Sequence, residues 1–526
     1  MAQEGATPGV RGQIATGFQS YRFFRLLALV LLLLSPCTTL AGESAGADPE
    51  NRLLQAKAAR LIADDWDVVY LQNARAGYGR TRVIELVRAG ETVRQTDSSM
   101  RLRMRRLGEP IEIQITIQTT EDSEGRLLDF RTEMKLGPSP IISSGRVIDG
   151  TLEIATRAGQ RTTTTELHWT DKDRGFFYAE QGLREKPMQP GEKRSFTALM
   201  PVFNQVARTR LIAGEYEQTQ LLEGPKKLLR ITSRTEHSGA VIDSTLWTDE
   251  TGNVLKTQEA ALDQTVYRAT KAIALAGSEG AVPDLIVGTV VPLGGEIKDP
   301  HSARRVRYRV RLERADPQRI FPNSAVQKVV SKGNREIELS VSRSGQQDQA
   351  AARDRPTEAD RTPSRLIQSD DERVVALAGK VAPAAEDPGQ IAKALERYVY
   401  ELIDKKDFST ALGSAAEVAR SRAGDCTEHA VLLAGLARAR GLASRVVVGL
   451  VYVPALGGFG YHMWTEVWVQ DHWLPLDATR ATSGTGSGHL KIAHASLRDS
   501  DGLTVFLPVL QVMGQIQLKL VEEIHD

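Results

Sequence analysis

Residues 422–441, RAGDCTEHAVLLAGLARARG, decide what the C-terminal third of the chain must be. Gly424-Asp425 makes a turn. Asp425 suits an N-cap, because its carboxylate can accept from the unpaired N–H groups of a first helical turn. From Ala430 to Ala439 the residues are strong helix formers. Arg438 and Arg440 suit the negative end of a helix dipole, and Gly441 suits the position just past it. The spacing predicts a largely apolar helix with Cys426 in its first turn. A helix start favours anions, so it favours the thiolate, the nucleophilic form of cysteine. Its free N–H groups can also receive a developing oxyanion.

A second stretch supplies a base. Residues 461–469, YHMWTEVWV, read as a strand that follows a glycine-rich loop at Gly457–Gly460. Gln470-Asp471 reads as a tight turn, and residues 473–477, WLPLD, as the return strand. With a two-residue turn, Val469 faces His472 and Asp477 faces Trp464. His462 shares a face with Trp464, two residues away, so Asp477 lies roughly 7 Å from it along the ladder. An aspartate at that distance can hold an imidazole in one tautomer and stabilise its cation, which completes a nucleophile, base and orienter.

Three short motifs carry a resemblance. Gly424-Asp425-Cys426 with Glu428, His462 with Trp464, Glu466 and Val467, and Trp473, Pro475, Leu476, Asp477 with Thr479 resemble the transglutaminase-like superfamily over residues 367–482. Ala478 stands where that family often has Pro, and Met463 where Ala is common. The resemblance implies a papain-like α+β core with Cys426, His462 and Asp477 as a catalytic triad. It also implies acyl transfer through a cysteine thioester, with a protein or peptide amide as substrate and no cofactor. Glu428 and His429 read as structural, through dipole pairing and capping. Trp464, Trp468 and Trp473 read as core, and His472 as part of the hairpin turn.

Outward from the motifs, the period stays helical back to Ser364. Val374, Val375, Ala378, Val381 and Ala382 mark one amphipathic helix, and Ile391, Leu395, Val399 and Leu402 a second. Residues 344–363 are polar and read as a linker. Residues 281–343 read as a small β domain. There Val306, Tyr308, Val310 and Leu312 alternate with Arg305, Arg307, Arg309 and Arg311, an amphipathic strand with a solvated cationic face. Residues 48–280 read as an antiparallel β-rich domain, with helix confined mainly to Pro49–Asp64. Met100, Leu102 and Met104 alternate with arginines, and Ile111, Ile113, Ile115 and Ile117 alternate with Glu112, Gln114 and Thr116. Two acidic turns, at 120–128 and 248–255, echo one another. The fold class is therefore multidomain: an antiparallel β meander followed by a C-terminal α+β domain at 364–526.

At the N-terminus, Arg11, Arg22 and Arg25 precede an apolar run, Leu26–Leu34, and Ser35-Pro36 ends it. Small residues follow. This layout predicts a signal peptide over residues 1–47 and an exported protein, periplasmic or extracellular. Nine apolar residues fall short of the ~20 that span a bilayer, so no stable membrane insertion is expected after cleavage; an uncleaved segment acting as a membrane anchor is the alternative. Cleavage removes Cys37 and leaves Cys426 as the one cysteine, with no disulfide partner.

Charge balance, 67 basic against 66 acidic residues, gives no reason to expect nucleic acid. Three rival functions are weighed against hydrolysis. A cross-linking transglutaminase would use the same triad. A non-catalytic extracytoplasmic binding protein would need no intact triad. A zinc site could draw on Cys426, His429, His462 and Asp477, but no second close ligand pair accompanies them. Residues 42–46, GESAG, match a nucleophile-elbow pattern without the strand–turn–helix it requires. Oligomeric state is not readable from these features.

Overall fold

The computed structural model describes residues 59–526 apart from 107–108, 136–138, 201, 238–239, 260, 262, 278–281, 285–288, 345–353, 407–412, 481–483 and 500–503. The expected signal peptide, and the part of the Pro49–Asp64 segment before residue 59, lie outside the described residues. Arg60–Asp64 belongs to a strand, Arg60–Leu71.

Alternation of apolar and polar residues builds a fifteen-stranded sheet from Arg60 to Ala269. Eight strands, from Arg60–Leu71 to Arg161–His168, run outward as a meander. Seven more, from Asp173–Arg174 to Gln264–Ala269, run back, and the halves meet where Val69 pairs with Val266. The pairing follows the pattern read from sequence. Met104, Leu102 and Met100 oppose Ile111, Ile113 and Ile115, all buried, while Arg103 opposes Glu112 on the other face. One register slip would put the whole set on the wrong face.

The echo between the two acidic turns is structural. Asp122 Oδ1 accepts from the N–H groups of Glu124 and Arg126, and Asp249 Oδ1 from those of Thr251 and Asn253. Gly125 and Gly252 hold φ of 75° and 79°, which side chains disfavour. Both turns abut one short helix, Tyr178–Glu185. Gln181 Nε2 donates to Glu121 Oε2 at 2.6 Å, and a Cβ on Gly252 would lie 1.9 Å from the Leu183 carbonyl.

The rest is a mixed α+β region around a nine-stranded sheet. Strand Gly458–Val469 pairs with Ser444–Val453, His472–Leu476 and Val291–Gly294. Strand Ile516–Ile524 then joins Val291–Gly294 to Arg305–Leu312. The strands of 291–342 thus share one sheet with those of the C-terminal domain, and the boundary expected near 343 does not divide it. Val306, Tyr308, Val310 and Leu312 are buried as predicted. On the opposite face Arg307 pairs with Glu522 and Glu338, and Arg309 with Glu336. Residues 354–363 are anchored rather than linker-like. Trp473 Nε1 donates to the Asp354 carbonyl at 2.6 Å, and Arg438 to that of Thr362.

Among the described residues, the capped helices that pack around the site include Glu372–Lys380, Pro388–Leu402, Ala415–Ser421 and Cys426–Ala439. The last is almost wholly buried. Its Gly435 meets Ala415 so closely that a Cβ would lie 2.9 Å from the alanine methyl. Val375, read as core, faces solvent, because Val374, Leu377 and Ala378 occupy the buried stripe. Among the described residues no helix is long and apolar enough to cross a membrane.

Candidate active site

The helix around Cys426 starts as its sequence predicts. Asp425 accepts from Thr427 N, and Glu428 reaches back to Asp425 N at 3.0 Å, a reciprocal capping box. Glu428 also accepts from Gly413 N, and a Cβ on Gly424, at φ 153°, would strike Glu428. Burial and the charge of Asp425 push the Glu428 carboxyl well above the usual range. The Nδ1 of His429 contacts the Asp425 carbonyl, and burial lowers its basicity. Glu428 thus caps the helix, as its sequence position predicts.

The hairpin also has the expected register. Val469 pairs with His472 and Thr465 with Leu476, across a two-residue turn whose Gln470 and Asp471 both have positive φ. His472 is the first residue of the return strand, and its Nδ1 meets the Gln470 carbonyl. Gly458 to Gly460, expected as loop, are the first residues of the long strand. Glycine is required there, since a Cβ on Gly458 would lie 2.7 Å from the Val291 carbonyl. Phe459 is buried against Tyr308 and Tyr452.

Cys426, His462 and Asp477 come together, 8%, 9% and 1% exposed. His462 Nε2 lies 3.0 Å from Asp477 Oδ2, and the thiol is within hydrogen-bonding reach of the ring. With Nε2 committed to the carboxylate, Nδ1 is the nitrogen left for sulfur. Burial opposes a charge on His462, but Asp477 and Cys426 outweigh it and hold the imidazolium up to about 10. Burial would raise Asp477, yet the histidines on it keep the carboxyl well below its usual range. Opposite shifts on adjacent groups are the pattern of a poised acid–base pair. Trp464 stacks on His462 with ring centroids 6.2 Å apart.

Two residues beyond the sequence-predicted set hold Asp477. Glu396, from Pro388–Leu402, accepts from Asp477 N at 2.7 Å and from Gly484 N at 2.9 Å. Its place in the apolar stripe between Ala392 and Val399 is a signal that could have marked it. His489 Nε2 meets the same Asp477 oxygen as His462, at 3.0 Å, and no motif pointed to it. Thr479 closes the set, giving Asp477 Oδ1 its N–H and hydroxyl. Behind the site, Glu466 takes Lys491 and Arg445 at 2.7 Å each, all three buried. Burial alone would raise Glu466; its two cations hold it down to about 2.

The zinc reading does not find its ligand set together. Among the described residues, the group close enough to share an ion is His462, Asp477 and His489, without Cys426 or His429. Its facing atoms are already hydrogen-bonded to one another.

Comparison with known proteins agrees with this picture of the region. Residues 375–478 match the model of the transglutaminase-like superfamily, so the chain carries a transglutaminase-like domain there, of a class that typically comprises cysteine enzymes. No curated protein matches the chain. Among solved structures, one similar chain is a candidate cysteine protease from Cytophaga hutchinsonii, 18% identical. That match covers 38% of this chain and 82% of the other, with a TM-score of 0.27. Another is a β-barrel-like protein of a domain of unknown function from Brucella abortus, 14% identical, covering 39% and 95%, TM-score 0.28. A third, from Pseudomonas aeruginosa, is 12% identical over 41% and 95%, TM-score 0.19. TM-scores this low support no argument about fold or function.

Proposed function

We propose that the protein is a cysteine-dependent amide hydrolase acting on a protein or peptide, with Cys426 as nucleophile, His462 as acid–base and Asp477 as orienter. The observation that carries this reading is the shared placement of three groups: a thiol at a capped helix start, an imidazole within its reach, and a buried carboxylate 3.0 Å from that imidazole.

In the reaction, the Cys426 sulfur forms a bond to the amide carbonyl carbon. The oxyanion is received by the Cys426 N–H at the start of Cys426–Ala439, the N–H groups of Thr427 and Glu428 being held by Asp425. His462 delivers a proton to the departing nitrogen, the C–N bond breaks and a thioester remains. His462 then takes a proton from water, which attacks the thioester and releases the acid and the thiol. Asp477 stabilises the imidazolium that stands before the proton goes to nitrogen and that forms again when water attacks. Water is favoured over an amine as acceptor, because amine transfer requires a channel that excludes water from the thioester.

The test is to incubate the enzyme with a glutamine-containing protein mixture and a fluorescent primary amine. Ammonia, new N-termini and incorporated amine are measured together. Release of ammonia or N-termini that outruns incorporation is expected. Dominant incorporation would make the protein a cross-linking transglutaminase. Export follows as a further proposal from the N-terminal composition: a mature protein beginning between Gly42 and Asp48, read by N-terminal sequencing from the cell envelope.

A further inference from the structure

Asp477 Oδ2 serves two imidazoles at once. His462 Nε2 and His489 Nε2 both lie 3.0 Å from it, and all three residues are buried. The rings of the two histidines are 6.0 Å apart, and the Trp464 ring meets both. One carboxylate charge can balance one imidazolium. A second buried cation beside the first has no counter-charge, and that is costly.

The surroundings decide which ring carries the charge. His462 faces Asp477 on one side and the Cys426 thiol on the other. His489 faces Asp477, the edge of Trp464, the ring of His301 at 5.4 Å and, electrostatically, the Arg480 cation. Its Nδ1 is 3.2 Å from the Gly486 carbonyl, which already accepts from His489 N at 3.1 Å. A neutral ring has one proton to donate, and a carboxylate is a stronger acceptor than a carbonyl already engaged. The proton therefore sits on Nε2, toward Asp477.

We propose that His489 is a positioning residue for the acid–base pair: a neutral second donor to Asp477 Oδ2 that keeps the carboxylate ionised and aimed at His462. The inference rests on the triad assignment made above. His489 is itself fixed. Gly488 brings the chain so close to His301 that a Cβ would lie 2.9 Å from its ring, and His301 Nε2 is anchored on the Tyr452 carbonyl at 3.0 Å. Aim is thus transmitted from the 299–303 turn to Asp477, and so to His462.

The test compares His489→Gln, whose amide can place a donor near the position of Nε2, with His489→Leu, which fills space and donates nothing. Three quantities are followed: amide turnover, iodoacetamide labelling of Cys426 against pH, and the Nε2 proton shared by His462 and Asp477, seen by 15N-edited NMR in a Cys426→Ser background. In His489→Leu, kcat and labelling rate should fall about 10- to 100-fold with KM little changed, the scale of a lost hydrogen bond to a buried charge. The shared proton should be lost or displaced. His489→Gln should restore both to within about threefold, on the same scale. Retention of the rate and the proton in His489→Leu overturns the proposal. Equal losses in both variants, with circular dichroism unchanged, also overturn it, because shape rather than donation would then matter. If the shared proton is present in the Cys426→Ser background but the unaltered protein shows no labelling or turnover, the triad reading fails while the positioning of Asp477 stands.

Discussion

The two sheets of this molecule bury carboxylates in opposite ways. In the fifteen-stranded sheet, Glu121 and Glu259 lie in surroundings where burial dominates and pushes them up to about 7 and about 8. In the nine-stranded sheet, Glu466 and Asp477 are as deeply buried, yet cations and imidazoles hold both far down. The first sheet keeps much of its ion pairing at the surface, as in Arg88–Asp129 and Arg234–Asp243, where each pair is worth about 0–1 kcal/mol. It also buries one set, Arg268 with Asp65 and Asp67. The difference teaches that burial alone does not make a site. A buried acid without a cation turns neutral, whereas one with a partner stays charged and can steer a proton.

Five measurements can break or sharpen that contrast. Cys426→Ala should remove turnover by on the order of 10⁵- to 10⁶-fold, as loss of a covalent nucleophile does, without unfolding the domain. Arg234→Ala, at the surface of the first sheet, should leave turnover within about threefold, since an exposed pair is worth little. A large loss in that variant would give the first sheet a part in the chemistry.

Asp477→Asn should lower turnover about 10⁴-fold, because an amide can hold the ring but cannot stabilise its cation. The pH dependence gives a second readout. His462 has its folded-state value raised to about 10, so its imidazolium contributes stability that is full below pH 6.5 and lost as pH rises through 10. Turnover that needs this proton should fall over the same alkaline limb in the wild type. In Asp477→Asn the limb should move toward neutrality. A limb that stays put would remove Asp477 from the triad and leave a Cys–His dyad.

Glu466→Gln should destabilise the second sheet by about 3–5 kcal/mol, by stranding the buried Lys491 without a carboxylate while Arg445 keeps Asp354. Thermal unfolding measures it. A change below 1 kcal/mol, the usual worth of a surface pair, would mean that the network is hydrated and the contrast between the sheets is small.

The gentlest test is the sign of pH dependence, followed by region with hydrogen exchange. Glu121 and Glu259 are raised in the folded state. Their contribution is present below pH 4.5 and lost as pH rises to about 7 and about 8. Glu466 is lowered, so its contribution is present above pH 4.5 and lost as pH falls toward 2. Protection in the first sheet should weaken toward alkaline pH, and in the second toward acid. Glu259→Gln should flatten the first trend alone.

Much of this was legible in the sequence wherever the cause is local. The Asp425 cap, the helical run after Cys426 and the two-residue turn at Gln470-Asp471 depend on near neighbours, and they place Cys426, His462 and Asp477 correctly relative to their own elements. Period-2 alternation set the Met100–Met104 and Ile111–Ile117 faces for the same reason. What escaped depends on contacts between distant segments. Gly458 is strand rather than loop because Val291 passes against it. His489 reaches Asp477 only because its strand pairs with Ser444–Val453, on the far side from His472–Leu476. Residues 291–342 looked like a separate unit because the strand that joins them to the active-site sheet comes some two hundred residues later.

That late strand has a consequence for timing. Ile516–Ile524 bridges the sheet: one neighbour is Arg305–Leu312 and the other Val291–Gly294, which leads on to the strand bearing His462. While those residues have yet to be made, the sheet stands in two pieces. A nascent chain can form its meander and the helix of Cys426 early. It cannot join Arg305–Leu312 to Val291–Gly294 until Ile516–Ile524 is available. The strands of 305–342 therefore become one sheet with the strand of His462 only when Ile516–Ile524 takes its place between them.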